Sequence, residues 1–158
     1  MTATKAIPVK RLLSAQAYQL IDREIAKYPA DQKQSAVMGA LTIAQDEVGW
    51  VSPAVIEDVA DYLSMPPIAV YEVATFYNMY NLEEVGTWKI GVCTCLPCAL
   101  REGDKAGEYL KQKLGIDFSE TTPDGRFTLI ETECLGSCAD APICLINDKR
   151  VESFMDNA

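Results

Sequence analysis

Trp88-Lys-Ile-Gly-Val-Cys93-Thr-Cys95-Leu-Pro-Cys98 decides how the second half of this chain folds, read together with Glu133-Cys134-Leu-Gly-Ser-Cys138. These two stretches hold five of the six cysteines. Each cluster follows a run that reads as a β-strand, Trp88-Lys-Ile-Gly-Val92 and Phe127-Thr-Leu-Ile130. Roughly 35 residues separate the clusters, about what a strand, a helix and a second strand require. Both cysteine loops would then leave the same end of one small sheet and meet as a soft, four-sulfur site.

Downstream of the first loop a helix is expected over 99–114, with Leu100, Ala106, Tyr109, Leu110 and Leu114 inward and Gly115 just past its end. Thr121-Thr-Pro-Asp-Gly125 is turn chemistry, and a strand follows at 127–131. After the second loop, Ile143-Cys144-Leu-Ile146 and residues 150–154 read as a hairpin joined through Asn147-Asp148-Lys149. Ala141-Pro142, just before a strand, is a candidate cis peptide. A β-α-β-β order with a cysteine loop between first strand and first helix is a reduced thioredoxin-like topology.

The first half reads differently. Residues 1–13 carry polar, basic and proline positions without periodicity and are expected to form a flexible arm. From Ser14, a good N-cap, Tyr18, Ile21, Ile25 and Tyr28 line one helical stripe that Pro29 stops. A second helix is expected over 32–48, burying Val37, Leu41, Ala44 and Val48 and capped by Gly49. Ser52-Pro53 opens a third, whose face is Val55, Ile56, Val59 and Leu63, and Met65-Pro66-Pro67 ends it. A short helix over 68–73 leads into Ala74-Thr-Phe76-Tyr77-Asn-Met79-Tyr80, aromatics assigned, like Trp50, to core and interface packing, with cofactor stacking as the alternative. Four such helices are too few and too short to bury all their apolar residues, so they are expected to pack on a further surface. The polar, glycine-ended Asn81-Leu-Glu-Glu-Val-Gly86 marks the boundary between a helical domain at 14–80 and a second domain at 87–158.

Composition narrows the chemistry. A formal charge of −9 with no long basic run excludes nucleic acid as a partner and suits proteins with basic patches. No apolar run approaches the roughly 18 residues of a spanning helix, and the N-terminus lacks a signal-peptide core, so a cytosolic protein without direct membrane insertion is expected. Six cysteines in such a compartment point to metal or redox chemistry rather than disulfides. The absence of histidine removes hydrolytic triads and imidazole metal sites.

Three chemistries then compete. A [2Fe–2S] cluster needs two thiolates per iron, and Cys93-x4-Cys98 and Cys134-x3-Cys138 supply two pairs. Gly136, Ser137 and Ala139 would let backbone N–H groups approach the sulfides. Structural zinc prefers C-x2-C knuckles, which only Cys95 and Cys98 match. Thiol–disulfide exchange suits Cys95-Leu-Pro-Cys98 between strand and helix but leaves Cys134 and Cys138 unexplained. Cys144, in an apolar strand, reads as a buried structural thiol, and Cys95 as a spare.

Taken jointly, Glu47-Val-Gly49-Trp50-Val51, Val70-Tyr-Glu-Val73-Ala-Thr-Phe76-Tyr77, Cys93-x4-Cys98, Asp124-Gly-Arg-Phe-Thr-Leu129 and Cys134-Leu-Gly-Ser-Cys138-Ala-Asp-Ala-Pro142 carry a specific resemblance over residues 14–154. The chain resembles the thioredoxin-like [2Fe–2S] subunits of NADH:quinone oxidoreductase, respiratory complex I. The resemblance implies an α+β protein: a small helical domain clasping the NADH- and FMN-binding flavoprotein subunit, then a thioredoxin-like [2Fe–2S] ferredoxin domain whose cluster lies near that subunit's FMN. It carries the ligand role to Cys93, Cys98, Cys134 and Cys138. NADH and FMN would belong to the partner, and this chain has no G-x-G-x-x-G or P-loop of its own. The place implied is the cytoplasmic side of the inner membrane, within a peripheral arm of several subunits. Related subunits of NAD-linked formate dehydrogenases and hydrogenases share the cluster motif and are the alternatives. Two departures stand out: the family usually lacks a cysteine at Cys95, and this chain ends at Phe154-Met-Asp-Asn-Ala158, where relatives commonly continue into a further helix.

Overall fold

Ser14 and Ser52 set the starts of two helices. The Ser14 hydroxyl accepts the N–H of Ala17 at 3.2 Å and opens α1, Ala15–Ile25; the Ser52 hydroxyl accepts that of Val55 at 3.2 Å and opens α3, Pro53–Leu63. The computed structural model describes residues 11–154. Residues 1–10 of the expected arm, and 155–158 at the chain's end, lie outside them. The chain divides into two units, Met1–Glu84 and Val85–Ala158.

In the first unit α2 spans Val37–Val48 and α4 Pro67–Phe76, and four expectations are corrected. Helix α1 stops before Tyr28, because i to i+3 bonds from Lys27 to Glu24 and from Tyr28 to Ile25 tighten the chain ahead of Pro29, and Tyr28 is left exposed. The helix expected from residue 32 begins as a 3-10 turn, Lys33–Ala36. Val48 lies in the last turn beyond Ala44, the last buried residue, and is exposed. Helix α4 also runs on through Phe76. Gly49 does cap α2, at a left-handed φ of 96°.

The core of this unit is Ile21, Leu41, Val51, Val55, Val59, Leu63 and Val70, and Tyr80 joins it with its hydroxyl donating to Met38 O at 2.9 Å. Ile68, Tyr71 and Phe76 remain exposed on α4, in line with an apolar surplus these helices cannot bury. Asp58 is fully buried within the unit. Its carboxylate accepts the Leu12 N–H at 3.2 Å, Arg11 Nη1 at 3.1 Å and the Tyr18 hydroxyl. Arg11, Leu12 and Leu13, at the end of the segment expected to be an arm, are thereby tied to α1 and α3.

The second unit is a five-stranded sheet in the order β2-β3-β1-β4-β5: β1 is Trp88–Cys93, β2 Glu120–Thr121, β3 Phe127–Thr132, β4 Ile143–Ile146 and β5 Arg150–Ser153. The β1–β3 pair is parallel, with Cys93 opposite Thr132; the other pairs are antiparallel. Val92 and Leu129 are buried with Ile116 against Leu110, Leu114 and Phe118. The β4–β5 turn has Asn147 and Asp148 at φ 50° and 56°, the positive pair that a tight hairpin demands. It is tied to β1 by Asn147, whose Oδ1 accepts the Lys89 N–H at 2.7 Å.

The helix expected over 99–114 is two helices, α5 Leu96–Ala99 and α6 Gly103–Leu114, separated at Glu102, which sits at φ 67°. Cys95 and Pro97 start α5 early, burying Cys98, and the chain must then turn before α6 can lie along the sheet. Leu100 and Tyr109 consequently face outward. Strand β2 was not anticipated, and Ala141-Pro142 is cis.

Removing the buried carboxylate of Asp58 leaves the Tyr18 hydroxyl and the Leu12 N–H without their acceptor. Asp58→Ala is therefore expected to destabilise by about 3 kcal/mol. Asp61, half-exposed beside Arg11 Nη2 at 2.8 Å, serves as comparison, and Asp61→Ala should cost less than about 1 kcal/mol. Urea denaturation of both variants measures the difference.

Candidate metal centre

The parallel pairing of β1 and β3 sends both cysteine loops off the same end of the sheet, because parallel strands finish on one side. Cys93 is the last residue of β1 and Cys98 lies in α5, both buried. Cys134 and Cys138 follow β3, exposed, on a loop that turns at Gly136 with φ 78° and closes in a 3-10 turn, Cys138–Asp140. All six cysteines are free thiols.

The four sulfurs associate as two pairs. Cys98 hydrogen-bonds Cys93, and Cys138 hydrogen-bonds Cys134; across the pairs, Cys138 interacts electrostatically with both Cys93 and Cys98. Cys93 is the hub. Burial pushes its thiol up, but the backbone N–H groups of Cys95 and Leu135 and the side chains of Cys98 and Cys95 outweigh this, and the net direction is down. Burial first, then the hydrogen bond to Cys93, pushes Cys98 up despite a backbone hydrogen bond from Ile143. Cys138 is raised by desolvation and then by Cys134, and burial likewise raises Cys144.

This donor set fits a thiolate-bound cluster. Leu135 belongs to the second loop and Ile143 to β4, so the N–H groups that meet Cys93 and Cys98 come from across the site. Backbone donors of this kind hold negative sulfur in place. The Thr132 hydroxyl adds to this. It is buried without a hydrogen-bond partner among the described residues, and as the register partner of Cys93 it shares that residue's sheet face. Among the described residues no three Cys, Asp or Glu side chains form a single-ion site. Two thiol pairs match the two thiolates per iron that a [2Fe–2S] cluster requires.

Sequence reasoning singled out Cys93, Cys98, Cys134 and Cys138; the structure pairs Cys93 with Cys98 and Cys134 with Cys138 and sets Cys138 in electrostatic interaction with the first pair. It missed the N–H groups of Leu135 and Ile143, which carry no side-chain signal, and Thr132, which the parallel register from Cys93 would have revealed. It also missed Gly103. A Cβ there would stand 2.8 Å from Cys98 O and 3.0 Å from Cys98 C, so α6 can pack under α5 only without a side chain at this point.

A small mixed sheet of thioredoxin type with two thiol pairs at one end is the architecture of a cluster-binding ferredoxin. The thioredoxin-like [2Fe–2S] ferredoxin family matches residues 21–158, and the chain belongs to it. It is 48% identical over 136 residues, covering 85% of this chain and 81% of the relative, to a Rickettsia conorii protein named as a subunit of NADH-quinone oxidoreductase. Against the mitochondrial NADH dehydrogenase [ubiquinone] flavoprotein 2 of Dictyostelium discoideum the identity is 43% over 135 residues, 85% of this chain and 55% of that one. Among solved structures, an NAD+-reducing [NiFe]-hydrogenase in the air-oxidised state is similar with a TM-score of 0.67 at 20% identity, over 80% of this chain and 22% of that chain, a likeness of fold.

Gly103→Ala must displace the backbone of Cys98. A loss of about 1–3 kcal/mol in urea unfolding is expected, the range for overpacking a close contact. Iron content per purified chain should fall with it, whereas Gly115→Ala, strained at its left-handed φ of 70° but with nothing near its Cβ, should leave iron content unchanged.

Proposed function

We propose that this chain is the electron-transfer subunit of an NADH:quinone oxidoreductase and holds a [2Fe–2S] cluster on Cys93, Cys98, Cys134 and Cys138. The observation that carries the proposal is the meeting of two thiol pairs at one end of the sheet, in a chain 48% identical to a protein named as a subunit of NADH-quinone oxidoreductase. When bound, such a cluster takes and gives one electron at a time. The chain's own residues do the rest. Cys93 and Cys98 supply a buried, preorganised pair, fixed by β1 and by the turn of α5. Cys134 and Cys138 supply an exposed pair from the loop that follows β3. The N–H groups of Leu135 and Ile143 offset the charge on the buried pair.

FMN and NADH belong to a partner flavoprotein subunit, which the helical unit grips, and further subunits of the peripheral arm complete the complex. Among the described residues no helix is long and apolar enough to cross a membrane. The chain therefore reaches the cytoplasmic face of the inner membrane through its partners. The equivalent subunits of hydrogenases and formate dehydrogenases remain the rival assemblies, and the solved hydrogenase, at 20% identity, speaks for the fold alone.

Electron paramagnetic resonance on anaerobically purified, dithionite-reduced protein should give the signal of a one-electron-reduced [2Fe–2S] centre. Well-folded protein without iron and labile sulfide would sink the assignment. Cys93→Ala, Cys98→Ala, Cys134→Ala and Cys138→Ala should each abolish the signal, and Cys95→Ala should keep it. Co-purification with an NADH-oxidising flavoprotein and quinone-reducing subunits distinguishes the complex from the rival assemblies.

A further inference from the structure

Gly91 and Thr132 meet in one close contact between β1 and β3. Gly91 stands two residues before Cys93, so both lie on the sheet face opposite the one where Val92 meets Leu110 and Leu114 of α6. A Cβ on Gly91 would stand 2.5 Å from Thr132 Cγ2, so the Thr132 methyl fills the space that a side chain at position 91 would need. Glycine inside a strand costs packing and conformational entropy, and here it makes room for one side chain of the neighbouring strand. The Thr132 carbonyl accepts the Thr94 N–H at 3.3 Å, which carries the ladder one residue past Cys93. Thr132 is thereby fixed twice, by its register opposite Cys93 and by its methyl against Gly91.

This placement leaves a hydroxyl over. Thr132 Oγ1 is buried with no hydrogen-bond partner among the described residues. A buried hydroxyl left unpaired costs its desolvation without return, and nearly all are paired. Bulk water does not serve, since the oxygen lies out of its reach. Valine would fill the same space without an orphaned polar atom, so packing alone does not account for threonine here. The residue in register opposite is Cys93, 2% exposed. A neutral thiol is a weak acceptor, whereas a thiolate carries the charge that makes a strong one.

We propose that Thr132 is a positioning residue that acts through Cys93: when Cys93 ligates as a thiolate, the Thr132 hydroxyl donates a hydrogen bond to its sulfur and raises the reduction potential of the site. This rests on the cluster assignment above. A ligating thiolate shares its negative charge with the metal centre, and an added electron increases the charge it carries. A donor on that sulfur therefore stabilises the reduced form more than the oxidised form.

The test is a redox titration monitored by electron paramagnetic resonance, with iron and labile sulfide counted, on the full-length, cluster-loaded chain as wild type, Thr132→Val and Thr132→Ser. Valine keeps the shape and the methyl against Gly91 but has no donor; serine keeps the donor and lacks the methyl. Expected is a full complement of cluster in all three, a midpoint shifted to more negative potential in Thr132→Val, and a clearly smaller shift in Thr132→Ser. An unchanged midpoint in Thr132→Val overturns the proposal. Equal shifts in the two variants, or the larger shift in Thr132→Ser, overturn it by assigning the effect to packing rather than to the donor. Cluster loss in Thr132→Val with full loading of Thr132→Ser supports the donor, and loss in both overturns it. A wild-type chain without cluster removes the functional assignment and this inference together, a result distinguishable from the others.

Discussion

Everything in the second unit depends on the parallel pairing of β1 with β3. Antiparallel strands would have put the two cysteine segments at opposite ends of the sheet. Parallel pairing with Cys93 opposite Thr132 makes the residues after each strand neighbours, and the α5–α6 crossover lets the chain return to start β3 on the same side. The register is held by burial on one face, where Val92 and Leu129 meet Leu110 and Leu114, so Cys93 and Thr132 occupy the other. A slip of one residue would exchange the faces and lose both the core and the site.

Within that frame the two cysteine pairs have unequal roles. Cys93 and Cys98 are buried and met by backbone donors from distant segments, so the fold itself sets their geometry. Cys134 and Cys138 are exposed on a loop that relies on the positive φ of Gly136 to turn. The Cys93 thiol is lowered and the Cys98 thiol raised because Cys93 receives more donors than Cys98.

The helical unit is organised differently. Its fixed point is a buried carboxylate, Asp58, around which Arg11, Leu12 and Tyr18 converge from two other segments. Arg11 also stacks over the rings of Tyr18 and Tyr62, at 5.6 and 5.0 Å from their centroids. With that side anchored, Ile68, Tyr71 and Phe76 stay exposed on α4, an apolar surplus suited to contact beyond these helices.

The sequence by itself determined the four helices of the first unit, the strands β1, β3, β4 and β5, the serine and glycine caps and the hairpin at Asn147-Asp148. These are local matters: a cap, a turn or a strand period is set by residues within a few positions of one another. Only the tertiary structure decided that the crossover helix breaks at Glu102, that Leu100 and Tyr109 face outward, and that Val48 lies beyond the core. It alone placed the N–H groups of Leu135 and Ile143 on the buried sulfurs, required glycine at position 103 and brought Cys95 against Cys93 and Glu133. Those outcomes depend on which distant backbone packs against which, and hydrophobic periodicity records only that a face is covered, not what covers it.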